Sequence, residues 1–169
     1  MLRAFVHFLT QLLLWTLVAQ ANHALGGWHV YLFVGGLFVT HAALTFSLRD
    51  GLVAAALGGF LFDATTPVPF GLHALLFAAA VTLIVHLRDR LPHDETAARV
   101  VIALLANLAI FLVFSFTQIS RLPAPAAAWP RLIWDLVCSQ IFLALVAPWF
   151  LALQGRALVL ARTARAEPA

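Results

Sequence analysis

The sequence predicts an all-α integral membrane protein built as a six-transmembrane-helix bundle, and three observations carry that prediction. Hydrophobic types make up 63% of the 169 residues and charged types only 10%, where an ordinary soluble domain carries about 25% charged residues. The ten Arg and seven Asp or Glu, with no Lys, cluster so that long uncharged windows lie between them. Those windows match the roughly 20 apolar residues a helix needs to cross a hydrocarbon core about 30 Å thick. A single Cys, Cys138, excludes an intramolecular disulfide framework and a multi-Cys metal site, which leaves helix packing in lipid as the source of stability. A net charge of +3 spread over loops forms no basic stripe interleaved with aromatics, so nucleic acid is excluded as a partner.

The 45 uncharged residues between Arg3 and Arg49 are twice what one crossing needs, so two helices share them. The turn-forming run Asn22-His23-Ala24-Leu25-Gly26-Gly27 divides them into a first span over residues 3–20 and a second over 28–46. Arg3 before an apolar run resembles a signal peptide, but no small-residue cleavage site follows, and a retained span is expected. The 37 residues between Asp50 and Arg88 hold one charge, Asp63. Thr65-Thr66-Pro67-Val68-Pro69 breaks this window, because proline removes a backbone donor and pushes the preceding residue out of helical conformation. The third span is then 51–63, about 20 Å long, and the fourth 70–87. Such a short third helix ends below the surface, where neighbouring helices or water must satisfy its last carbonyls. The fifth span, 100–120, and the sixth, 133–154, fill the remaining windows, and 155–169 reads as a short basic cytoplasmic tail.

Six crossings place both termini on one side. Arg3, Arg49, Arg88, Arg90, Arg99, Arg156, Arg162 and Arg165 fall on that side and only Arg121 and Arg131 opposite, so the positive-inside rule makes the termini cytoplasmic. Pro92-His93-Asp94-Glu95-Thr96 in the inner loop reads as a helix start, with Asp94 or Glu95 favoured by the helix dipole. Trp28, Trp129, Trp134 and Trp149 fall near the interfaces, as in an aromatic belt. Arg131 and Asp135, four residues apart, pair at the outer end of the sixth helix near water, worth well under about 1 kcal/mol.

Asp63 needs explaining, because a carboxylate at membrane depth is costly and faces a bundle interior, a cavity or a partner. It is either a relay or ligand site, or it shapes the turn by capping the fourth helix or by accepting hydrogen bonds from Thr65, Thr66 and the broken backbone. His73, ten residues on, can reach it across the turn, but no Ser or Cys completes a triad with the two. The seven His residues, from His7 to His93, show neither an i,i+4 pair of His nor an HExxH motif, so no metal site is expected. Ala54, Ala55, Gly58 and Gly59 put small residues on one face of the third helix, and Ala74, Ala78 and Thr82 do the same on the fourth. Such faces either pack within the bundle or dock another protein's helix.

Gly58-Gly59-Phe60-Leu61-Phe62-Asp63 and Pro69-Phe70-Gly71-Leu72-His73-Ala74-Leu75 resemble the central stretch of the rod-shape-determining MreD family. His86-Leu87-Arg88-Asp89-Arg90 resembles the family's basic cytoplasmic helix end, and Gln140 with Pro148-Trp149-Phe150 its last span. The specific part of the likeness covers about 30 residues. The Thr-Thr-Pro-Val-Pro turn after Asp63, and Gly26-Gly27-Trp28 where the family often has Arg-Pro, depart from it. The resemblance implies a non-enzymatic scaffold of the bacterial cell-elongation (rod) complex in the cytoplasmic membrane. Its implied partners are an MreC-like protein, the SEDS glycosyltransferase with its penicillin-binding protein, and MreB on the cytoplasmic side; no cofactor is implied. It also implies a bundle similar to the substrate-binding subunits of energy-coupling-factor transporters. The expected partner contact is Ala55, Gly58, Gly59, Asp63, Pro67, Pro69, Gly71 and His73. The alternative is a solute-binding subunit of a vitamin-type transporter, whose usual Ala-x-x-x-Ala pattern in the first helix is absent here. A membrane enzyme acting on lipid needs more convergent groups than the sequence offers.

Overall fold

The structure, a computed structural model, describes residues 2–66, 68–90, 95–120 and 125–166. Pro67 of the expected contact, the Pro92, His93 and Asp94 of the inner loop, and Arg121 lie outside the described residues, as do the side chains of Arg3, Arg162 and Arg165. Among the described residues there are six α-helices and no strand: α1 (Leu2–Leu25), α2 (Gly35–Thr45), α3 (Leu48–Asp63), α4 (Leu72–Leu87), α5 (Thr96–Ile119) and α6 (Trp129–Ala166). Among the described residues, three segments are long and apolar enough to cross a membrane: Leu72–Arg90, Thr96–Ile119 and Pro125–Ala161.

The outer surface carries rows of exposed apolar side chains. On α1, Phe5, Leu9, Leu13 and Leu17 recur every four residues and are all exposed, and Val137, Ile141, Leu145 and Trp149 repeat the pattern on α6. A fourfold repeat keeps them on one helix face. Polar groups are turned the other way, with His7, Gln11, Thr40, Asn107, Ser139 and Gln154 all buried. At the centre lies α2, whose residues from Gly35 to Leu44 are all buried and which packs against α3, α4, α5 and α6. A helix apolar all round is one surrounded by protein or lipid. The tightest pairing is the α3/α4 hairpin, and α1 closes the bundle against α3 and α6.

Three boundaries differ from the sequence expectation by more than four residues. The first helix does not end at residue 20 but runs through Asn22 and His23 to Leu25. The second helix does not begin at Trp28: after a 3-10 turn at Gly26–Trp28 and His29 at φ 55°, the chain runs without helix to Gly35. The sixth helix does not end at 154. Gly155 lies within it and it runs to Ala166, so the expected tail is largely helical; Arg, Ala and Leu after Gly155 are strong helix formers. Pro148 is accommodated inside the same helix.

Candidate functional site

The α3/α4 hairpin is set by two glycines and one carboxylate. A Cβ on Gly59 would lie 2.3 Å from Ala74 Cα and 2.4 Å from Ala74 N, so the two helices cross backbone against backbone there. Four residues on, α3 ends, and Thr65 and Thr66 turn their hydroxyls back to the carbonyl of Phe62, at 3.1 and 2.9 Å. Both converge on one carbonyl of the last turn, which also accepts from the Thr65 and Thr66 amides. Gly71 precedes α4 at φ 98°, carrying no side chain to cap it. Asp63 does the capping instead. Its Oδ2 accepts from Gly71 N at 2.9 Å and Ala74 N at 3.4 Å, and its Oδ1 accepts from His73 N at 3.0 Å and from the His73 ring Nδ1 at 2.8 Å. A carboxylate at the positive end of a helix dipole is favourably placed. Of the two readings of Asp63, the geometry matches the cap on the fourth helix, while the threonine hydroxyls bond Phe62 rather than Asp63.

Residues 30–34 form the second break. Inside a bundle their amides need acceptors, and side chains from α1 and α6 supply them. Tyr31 N donates to Asp135 Oδ1 at 2.9 Å, Leu32 N to Asn22 Oδ1 at 2.7 Å and Phe33 N to Ser139 Oγ at 2.9 Å. Gly36 N, in the first turn of α2, donates to Asn107 Oδ1 at 3.0 Å. Asn22 also donates to the carbonyl of Leu32 at 3.1 Å. Asp135 is therefore more than the water-exposed partner of Arg131. It is 5% exposed and its second oxygen lies 3.9 Å from Arg131 Nε.

The two breaks meet. The Phe33 ring touches Phe62, His73, Phe111 and Phe114, and His73 lies 4.7 Å from Phe114 between ring centroids. Beside them is a cavity of about 400 Å³, with Trp15, Leu32, Phe62 and Phe114 as apolar walls and Asn22, Tyr31, Thr66 and Gln118 among its polar lining. Irregular backbone at membrane depth, held by protein and lining a cavity, is where membrane proteins place binding sites.

The residues expected at a partner contact are mostly inside the bundle. Ala55, Gly58, Gly59, Asp63 and His73 are buried, and a Cβ on Gly58 would meet Phe38 at 2.9 Å and Gln11 at 3.1 Å. That small-residue face packs against α1, α2 and α4 and is not open to another protein, because close packing within the bundle already uses it. Gly71 is half-buried and Pro69 exposed, next to Phe70 at 71% exposure. The Phe70 ring stacks on Phe60 at 5.3 Å and 4°.

One cluster was not anticipated. At the opposite end from the breaks, Gln11 Nε2 donates to Phe38 O at 2.8 Å and lies 2.9 Å from His7 Nε2. His41 stacks on His7 at 5.6 Å, and the Gln154 amide is 3.3 Å from His7 Nδ1. The two ring nitrogens of His7 thus face the side-chain amide nitrogens of Gln11 and Gln154, and the Gln154 amide also donates to the Thr10 hydroxyl at 3.5 Å. The network ties α1, α2 and α6 together. The i,i+4 spacing of His7 and Gln11 was the signal available in the sequence. Among the described residues, no three His, Cys, Asp or Glu side chains are grouped to hold a metal ion.

Comparison of the chain with models of known protein families, with curated proteins and with solved structures finds no match.

Proposed function

We propose that this protein is an MreD-like scaffold of the bacterial cell-elongation complex, without enzymatic activity, spanning the cytoplasmic membrane six times with both termini inside. The observation that carries the reading is that the residues of the resemblance work as one device. Gly59 lets α3 meet α4, Asp63 caps α4 and Gly71 takes the positive φ the turn requires. Length supports the crossings by α1 and α5, whose 24 residues each rise about 36 Å, more than the thickness of a hydrocarbon core. On this reading the partner is the transmembrane helix of an MreC-like protein, and the complex extends to the SEDS glycosyltransferase, its penicillin-binding protein and MreB. Because the small-residue stripe is buried, the contact falls on the exposed flank of the hairpin, Leu57, Phe60, Phe70 and Leu75. Binding there biases the complex only by its difference in affinity between inactive and active arrangements.

Co-purification tests this. The Phe60→Ala/Phe70→Ala variant should stay folded and lose the MreC-like protein; normal capture by the variant removes this contact. Failure of the unaltered chain to capture any MreC-like protein from its own membrane removes the family reading. Reporter fusions should place both ends in the cytoplasm.

The cavity of about 400 Å³ beside the two breaks favours a second reading, a solute-binding transporter subunit. A small molecule retained through purification in detergent and displaced by Phe114→Trp would establish it over the first.

A further inference from the structure

The cavity of about 400 Å³ beside the two breaks has Trp15, Phe62 and Phe114 among its walls, and a polar side made by Asn22, Tyr31, Thr65, Thr66 and Gln118. The polar groups differ in what they have left to offer. Asn22 spends its oxygen and one amide hydrogen on Leu32. Thr65 and Thr66 donate their hydroxyl protons to the Phe62 carbonyl and keep only lone pairs. Among the described residues, the Gln118 amide and the Tyr31 hydroxyl have no hydrogen-bond partner. Gln118, which is half-buried, therefore brings an N–H donor and a carbonyl acceptor to the cavity side by side. The frame around it is fixed, since Asp135 and Asn22 hold the backbone amides of Tyr31 and Leu32. A pure hydrocarbon in this space would leave the amide unpaired, and a wholly polar solute would leave the aromatic walls without a ring to pack.

We propose that this cavity binds a flat ring molecule carrying a cyclic amide on one edge, with the ring against the aromatic walls and the amide read by Gln118. A side-chain amide meets a cyclic amide through two parallel hydrogen bonds, one given and one received, the complementarity by which glutamine reads a base edge. The volume falls in the range of small-molecule sites, about 300–1,000 Å³. This assignment rests on the solute-binding reading of the same cavity and is independent of the MreC-like partner.

The test is isothermal titration calorimetry of the full chain in detergent, with empty micelles as the blank and two probes of nearly the same shape. Quinolin-2-one has the cyclic amide, and N-methylquinolin-2-one lacks its N–H. The unaltered protein binds quinolin-2-one about tenfold more tightly, the cost of leaving the Gln118 oxygen unpaired against the methylated probe. Gln118→Leu, at a half-buried position whose side chain holds no other bond, keeps the fold and removes the preference. Phe114→Trp, which fills the cavity, weakens both probes. Equal affinity for the two probes, or a preference that survives Gln118→Leu, overturns the assignment, and loss of that binding in Phe114→Trp then leaves a solute site of other chemistry. Failure of both probes to bind overturns it too, and if no small molecule is retained through purification either, the solute-binding reading falls with it.

Discussion

Asp63→Ala removes the acceptor from the two short backbone bonds to Gly71 N and His73 N, from the longer one to Ala74 N, and from the His73 ring. A buried donor left unpaired costs about 1–3 kcal/mol. The Gly71 end is half-buried and open to water beside Pro69 and Phe70, so not every donor bears the full penalty. The His73 ring, 1% exposed, sits among phenylalanines and has no such relief. The sum is about 3–5 kcal/mol, which for a chain of this size lowers the unfolding midpoint by about 10 °C. Asp63→Asn keeps one oxygen as acceptor but turns an NH2 toward donors, and should cost about half as much. The assay is thermal unfolding in detergent followed by tryptophan fluorescence, with His73→Phe as the second arm of a double-mutant cycle. The Asp63–His73 coupling should be roughly 1–3 kcal/mol. An Asp63→Ala midpoint equal to that of the unaltered protein refutes the cap as the role of this carboxylate.

Gly36→Ala brings a Cβ to 2.2 Å from the Ala103 carbonyl oxygen, which is backbone and cannot rotate away; with Gly59→Ala it should cost about 3 kcal/mol or more, read as loss of the monodisperse peak in size-exclusion chromatography. Gly71→Ala meets no neighbour but holds φ 98°, so about 1–2 kcal/mol of strain is expected from thermal unfolding, with Gly71→Asn less severe. Asp135→Ala should cost about 1–3 kcal/mol through the orphaned Tyr31 amide, while Arg131→Ala, removing a 3.9 Å contact of a side chain 66% exposed, should cost under about 1 kcal/mol; equal effects would show that the ion pair and not the backbone bond matters. Phe33→Ala empties the ring that joins the two breaks and should lower stability by about 3–5 kcal/mol, measured by the same unfolding assay.

Asp63 stood out in the sequence because it is the lone charge in a 37-residue window, and the pairing with His73 followed from its reach across a proline-broken turn. The four donors it gathers were not legible, since they depend on how tightly Gly59 lets α3 approach α4. The small-residue stripe was legible as a packing face; which surface it packs against is a property of neighbours far along the chain. The break at residues 30–34 was missed because its run of apolar types reads as a continuation of a buried helix. Asn22, Asp135 and Ser139, which take its amides, come from α1 and α6.

Composition and charge spacing by themselves determined an all-helical chain with segments long and apolar enough to cross a membrane, because the cost of an unpaired backbone group or a charge in hydrocarbon acts on each window separately. Where the helices break, which small residues face inward and which polar side chains reach across to the broken backbone were decided only in the packed bundle. Those choices are made by contacts between segments as much as 147 residues apart, as between His7 and Gln154, and no local periodicity carries that information.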